Sequence, residues 1–99
     1  MFIVVWEYHV KADHLVEFES IYKPDGEWAE LFNRGAGFLG TELLCDDKHS
    51  QRYLTIDRWV SSKAYDEFRA RWQNEYADLE TKCDRLSKKE TLLGKWESV

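Results

Sequence analysis

RYLTIDRWVSSKAYDEFRARW, residues 52–72, decides the fold of this 99-residue chain. Tyr53 to Val60 is rich in β-branched and aromatic residues. It alternates Tyr53, Thr55, Asp57 and Trp59 against Leu54, Ile56, Arg58 and Val60, the two-residue period of a strand. Ser61 or Ser62 is suited to cap the backbone donors of a following helix. That helix repeats Tyr65, Phe68, Trp72, Tyr76, Leu79, Cys83 and Leu86 at three- and four-residue spacing, an apolar stripe that needs a sheet to lie on.

Working outward, Phe2 to Val10 reads as a first strand, with Phe2, Val4, Trp6 and Tyr8 on one side and Ile3, Val5, Glu7 and His9 on the other. Asp13 is a candidate N-cap for a helix that carries Leu15, Phe18, Ile21 and Tyr22 inward. Lys23-Pro24-Asp25-Gly26 interrupts it, because proline disfavours helical geometry in the preceding residue. Glu27 to Arg34 resumes the helix with Trp28, Leu31 and Phe32 on one face. Gly35 is expected in the left-handed cap position. Phe38 to Cys45 forms the second strand, and residues 46–50 a hairpin connection to the third. Residues 86–90 read as a turn, and 91–99 as a last strand with Leu92, Leu93 and Trp96.

The order β-α-β-β-α-β over a single domain, 1–99, predicts a ferredoxin-like α+β fold: a four-stranded antiparallel sheet with its helices on one face. Both faces of the strands carry large apolar residues, so the face without helices is expected to meet a second copy of the sheet in a homodimer. Five Trp, five Tyr and five Phe exceed what a small core needs, which points to a pocket or an interface.

A formal charge of −5 with both signs interspersed argues against a nucleic-acid surface. The opening apolar run is too short to span a membrane and lacks an export cleavage site. With only two cysteines, Cys45 and Cys83, a reducing cytoplasmic setting is expected. His14 and Glu17 stand three apart on one helix, but no second ligand pair has recognisable spacing, so no metal site is expected. No serine sits in a glycine-rich elbow, and the glycines form no phosphate loop.

IVVWEYHVKADHLVEFE near the start, GAGFLGTELL after the first helix and RYLTIDRWVSSKAYDEF at the strand-to-helix junction resemble the antibiotic biosynthesis monooxygenase family, within the dimeric α/β-barrel superfamily. The resemblance covers essentially the whole chain and implies the same fold and a homodimer. It also implies an oxygenase acting on a small phenolic, quinol or polyketide-like aromatic with no metal or flavin cofactor. The haem-degrading branch uses an Asn on strand one with a Trp and a His on the second long helix. Here strand one carries Glu7, and the helix has Trp72 but no His.

Such chemistry needs a base, an apolar pocket and an oxyanion donor. If Glu7, His9 and Arg58 share the helix-facing side with Ile3, Val5, Leu54 and Ile56, then His9 or Glu7 is the base and Arg58 the anion clamp. Trp28, Phe32, Phe68, Trp72 and Tyr76 then wall the substrate. The competing arrangement pairs Glu7 with Arg58 across adjacent strands and leaves His9 at the rim. Trp6, Tyr8, Tyr53, Asp57 and Trp59, with Glu42, are expected at the dimer interface. Two other functions fit the same residues: a ligand-binding accessory module without turnover, and a small isomerase or cyclase.

Overall fold

Alternating side chains and β-forming composition make Phe2–Val10 (β1), Phe38–Cys45 (β2), Arg52–Trp59 (β3) and Ser87–Glu97 (β4) four strands. They form one antiparallel sheet in the order β2-β3-β1-β4 in a computed structural model that describes residues 1–99. Four helices pack on one face: Leu15–Tyr22 (α1), Glu27–Phe32 (α2), Ser62–Arg71 (α3) and Gln73–Cys83 (α4). This is the ferredoxin-like α+β arrangement.

Several local expectations hold. Ser61 Oγ accepts a hydrogen bond from the Ala64 N–H at 3.1 Å, capping α3. The Lys23–Gly26 break separates α1 from α2. Other expectations need correction. Asp13 lies in a 3-10 turn, Ala12–His14, and caps no helix by its side chain. The long helix divides at Trp72, whose backbone leaves the helical region at φ −108°, ψ 26°. Residues 87–90 belong to β4 rather than to a turn, because they continue the pairing with the end of β1.

Gly35 is not the left-handed residue; Gly37 is, at φ 101°. Gly35 is required for closeness instead, since a Cβ there would lie 2.9 Å from Phe68 Cδ1.

The largest correction concerns the two faces of the sheet. Phe2, Val4, Tyr8 and Val10 of β1 and Tyr53, Thr55, Asp57 and Trp59 of β3 are buried beneath the helices. Tyr8, Tyr53, Asp57 and Trp59, expected at a dimer interface, are therefore in the interior of the subunit, and Trp6, partly buried, packs against the same core. Ile3, Val5, Glu7 and His9, with Leu54, Ile56 and Arg58, take the opposite, uncovered face. Trp96, 50% exposed, pairs with Ile3, and Leu44, 42% exposed, pairs with Leu54, so both extend that face. Side chains alternate with period two, so a parity error moves the whole set at once.

Trp59 joins the layers. It is fully buried, and its ring lies 5.1–5.7 Å, centroid to centroid, from those of Phe32, Phe38, Tyr65 and Phe68. Phe18 and Tyr22 stack at 4.1 Å and carry the ring packing to Tyr8 and Tyr53. Trp59→Ala is expected to destabilise the subunit by about 3–5 kcal/mol in denaturant titration. Because the ring is buried within one chain, the loss should not depend on protein concentration.

Candidate active site

A cleft opens between the helix-facing side of the sheet and α2 and α4. Trp6 and Tyr8 of β1, Thr41 of β2, Thr55 and Asp57 of β3, and Glu90 of β4 form the sheet side. Tyr22 of α1, Trp28 and Phe32 of α2, and Tyr76 and Glu80 of α4 close it from the helices. Strand alternation aims Thr55 and Asp57 into the same layer as Trp59, and cross-strand register sets Thr41 directly beside Asp57. The break between α1 and α2 lets Tyr22 and Trp28 approach one another, with ring centroids 6.1 Å apart. Trp28 in turn meets Tyr76 edge-on at 5.0 Å.

The cleft measures about 480 Å³ including its open mouth, but only about 30 Å³ of it is open to the centres of water-sized molecules.

Asp57 is the chemically unusual group. It is 7% exposed, and its Oδ1 accepts a 2.6 Å hydrogen bond from Thr41 Oγ1. Burial raises its pKa to about 6, opposed by the Thr41 hydrogen bond. A carboxylate taken out of water disfavours its charged form, and a donor restores part of that loss. The phenols of Tyr8, Tyr22 and Tyr76 are pushed up by burial as well, so they stay protonated and able to donate.

The candidate residues read from the sequence divide among three places. Trp28, Phe32 and Tyr76 line the cleft. Phe68 packs in the core against Phe32 and Trp59, and Trp72 stands at a separate surface groove between the guanidinium groups of Arg34 and Arg71.

Glu7, His9 and Arg58 stand on the uncovered face, away from the cleft. There Glu7 is held by Arg52, with Nη2 to Oε2 at 2.6 Å, which lowers the Glu7 pKa. His9 Nε2 lies 3.4 Å from Glu7 Oε1. Arg58 pairs with Glu42 on the neighbouring strand and not with Glu7.

His14 Nδ1 is 3.9 Å from Glu17 Oε1, but the Glu17 carboxylate is engaged by Arg85. No group of three or more His, Cys, Asp or Glu side chains is arranged to hold a metal.

The sequence places Asp57 at an interface, whereas in the structure it faces the candidate cleft. The signal was there: Arg52, Arg58, Glu7 and His9 all share one strand parity, and that parity is the solvent side.

These features define a ferredoxin-like α+β protein with one buried acid in a cleft of aromatic rings. The chain belongs to the antibiotic biosynthesis monooxygenase family, whose pattern matches residues 1–76. Among solved structures it is similar to a point variant of SnoaB, a cofactor-independent oxygenase from Streptomyces nogalater. The two are 24% identical over 98% of this chain and 91% of that one, with a TM-score of 0.81. An antibiotic biosynthesis monooxygenase-type protein from Nitrosomonas europaea is 12% identical, covering 100% and 99% of the two chains, with a TM-score of 0.75. A variant of MhuD with two manganese protoporphyrin IX molecules bound per active site is 22% identical over 100% and 95%, with a TM-score of 0.71. At such identities the likeness establishes the fold. No curated protein matches the sequence.

The raised pKa of Asp57 has a definite sign. Its folded value lies above the unfolded one, so this group favours folding most below about pH 4 and the contribution is lost as pH rises through about 6. Asp57→Asn is therefore expected to raise stability at neutral pH and to flatten the pH dependence across that window. Thr41→Val should move the Asp57 titration upward, followed by carboxyl carbon NMR, while Thr41→Ser keeps it in place.

Proposed function

We propose that the protein is a cofactor-independent monooxygenase that oxidises a small hydroxyaromatic, with Asp57 as general base. The observation that carries this reading is the buried Asp57 carboxyl, with a pKa of about 6, facing a ring-lined cleft in a chain of the monooxygenase family. A base is most effective when its pKa lies near the working pH, and burial tunes this one toward it. The similarity to SnoaB supports the absence of a metal or flavin from the reaction.

In this mechanism the Asp57 carboxylate takes one C–H proton from the ring CH2 group of an anthrone-type hydroxyaromatic, and the negative charge is delocalised onto the conjugated carbonyl oxygen. The resulting anion passes one electron to dioxygen, and the substrate radical and superoxide combine to form a carbon–oxygen bond. The peroxide anion takes the proton back from Asp57. Loss of the second ring C–H proton then expels water and leaves a carbonyl. One CH2 and one O2 become one C=O and one H2O. Tyr8, Tyr22 and Tyr76, kept protonated by burial, are the available donors for the developing oxyanion, and the rings exclude water from it.

Haem is a poorer fit. None of the three histidines lines the cleft, and the propionates of a porphyrin would enter among Asp57, Glu80 and Glu90.

The uncovered face, with Ile3, Val5, Leu54, Ile56, Leu44 and Trp96, supports a homodimer formed sheet to sheet, now through the parity opposite to Trp59. The two free cysteines are consistent with a cytoplasmic setting. No helix is long and apolar enough to cross a membrane.

Oxygen uptake with anthrone or naphthol-type substrates tests the chemistry. Asp57→Asn is expected to lower the rate by about 10²–10⁴-fold with the fold retained, and wild-type activity should rise through about pH 6. His9→Ala should remain active. Full activity in Asp57→Asn would remove Asp57 as the base. Separately, Ile56→Lys should convert a dimer to a monomer in sedimentation velocity.

A further inference from the structure

The ionisable side chains that line the cleft, apart from its tyrosines, are all carboxyls, and the Arg69 guanidinium stacks on the wall ring of Tyr76. Asp57 sits within the cleft, and Glu80 and Glu90 are the other carboxyl groups of the lining; no Lys, Arg or His lines it. Neither glutamate forms an ion pair; the Arg69 guanidinium acts on Glu80 only at longer range, and its Nη1 donates to Tyr65 Oη. Partial burial, and then the carboxylates of Asp84 and Glu80, push the Glu90 pKa up, as expected of an acid with like charges around it and no countercharge. Deeper in, the hydrogen bond from Thr41 is the one that the Asp57 side chain accepts, to a single oxygen, although the residue is more than nine-tenths buried.

The walls favour cations too. A π-face attracts positive charge, most strongly where water is excluded. One wall ring already shows this: the Arg69 guanidinium carbon lies 3.8 Å from the centroid of Tyr76, while its Nη1 donates to Tyr65 Oη at 3.0 Å. An ammonium group entering the cleft would meet Glu80 and Glu90 and the rings of Trp6 and Trp28. A carboxylate of the same size would lose its water among like charges and gain no donor of opposite sign.

We propose that the cleft selects hydroxyaromatic ligands bearing a protonated amine over those bearing a carboxylate, with Glu80 and Glu90 as the discriminating residues. This rests on the cleft being the ligand site, as in the proposed function, but not on the oxygenation.

The test is calorimetric titration of the intact protein at neutral pH and low salt with three probes of similar size: tyramine, 4-ethylphenol and 3-(4-hydroxyphenyl)propionate. Tyramine is expected to bind at least about tenfold more tightly than the propionate, with the neutral phenol between them. The double variant Glu80→Gln/Glu90→Gln should reduce that ratio to about threefold or less with the fold retained, since both residues have low overall burial. Equal or tighter binding of the propionate overturns the proposal, as does an undiminished ratio in the double variant. Failure of all three probes to bind at millimolar concentration overturns it together with the reading of the cleft. Charge preference without oxygen uptake from any hydroxyaromatic leaves this proposal standing and removes the oxygenase. Oxygen uptake with no charge preference does the reverse.

Discussion

Burying Trp59 obliges the protein to bury Asp57. The two residues are two apart on β3, so the pleat sends both side chains to the same face. Full burial of a large ring removes about 150–250 Å² from water, worth about 4–6 kcal/mol. The rise of the Asp57 pKa from 3.8 to about 6 costs about 3 kcal/mol at neutral pH. The ring therefore wins, and the acid is carried into the core layer by its neighbour. Thr41 limits the cost with one short hydrogen bond, and the cleft keeps the carboxyl in reach of a ligand. A buried, partly compensated acid beside an aromatic cluster is held in place by the packing itself.

The element order, the β2–β3 hairpin, the Ser61 cap and the interruption at Lys23–Gly26 were legible in the sequence because each rests on local chemistry. Sheet parity was not legible in the same way. Both parities of β1 and β3 carry large apolar residues, so hydrophobicity alone could not say which one faces the helices. Aliphatic Ile3, Val5, Leu54 and Ile56 look like core, whereas Thr55 and Asp57 look like surface. The deciding signal was charge: Glu7, His9, Arg52 and Arg58 fall on the aliphatic parity, where they can pair with one another and with Asp46 and Glu42 in partial contact with water. Of the expected wall residues, Trp28, Phe32 and Tyr76 reach the cleft. Phe68 and Trp72 share the stripe of α3 and α4, but the break at Trp72 turns that ring away toward Arg34 and Arg71.

The shape of the cleft follows from a second interruption. Had α1 and α2 been one straight helix, Tyr22 and Trp28 would not close over the same stretch of sheet. The turn at Lys23–Gly26 lets α2 cross toward α4, where Glu27 meets Lys82 at 2.9 Å and Trp28 meets Tyr76. Gly26 is required there, since a Cβ would lie 2.3 Å from the Ile21 carbonyl oxygen. The outcome is a cleft with a wall made of separate elements. The exposed Glu27–Lys82 pair is a weak tie between α2 and α4.

The two faces of the sheet are chemically independent although they are built on the same strands. One parity of β3 gives Tyr53, Thr55, Asp57 and Trp59 to the core and cleft; the other gives Leu54, Ile56 and Arg58 to the uncovered surface. A substitution on the second parity alters what the sheet can pack against without touching the buried acid. A substitution on the first alters the pKa, the cleft or the core without changing the outer surface. The backbone between them is fixed by ladders on both sides of β1 and β3, the two central strands. The uncovered surface and the cleft can therefore change separately in this fold, with only the strand register held in common.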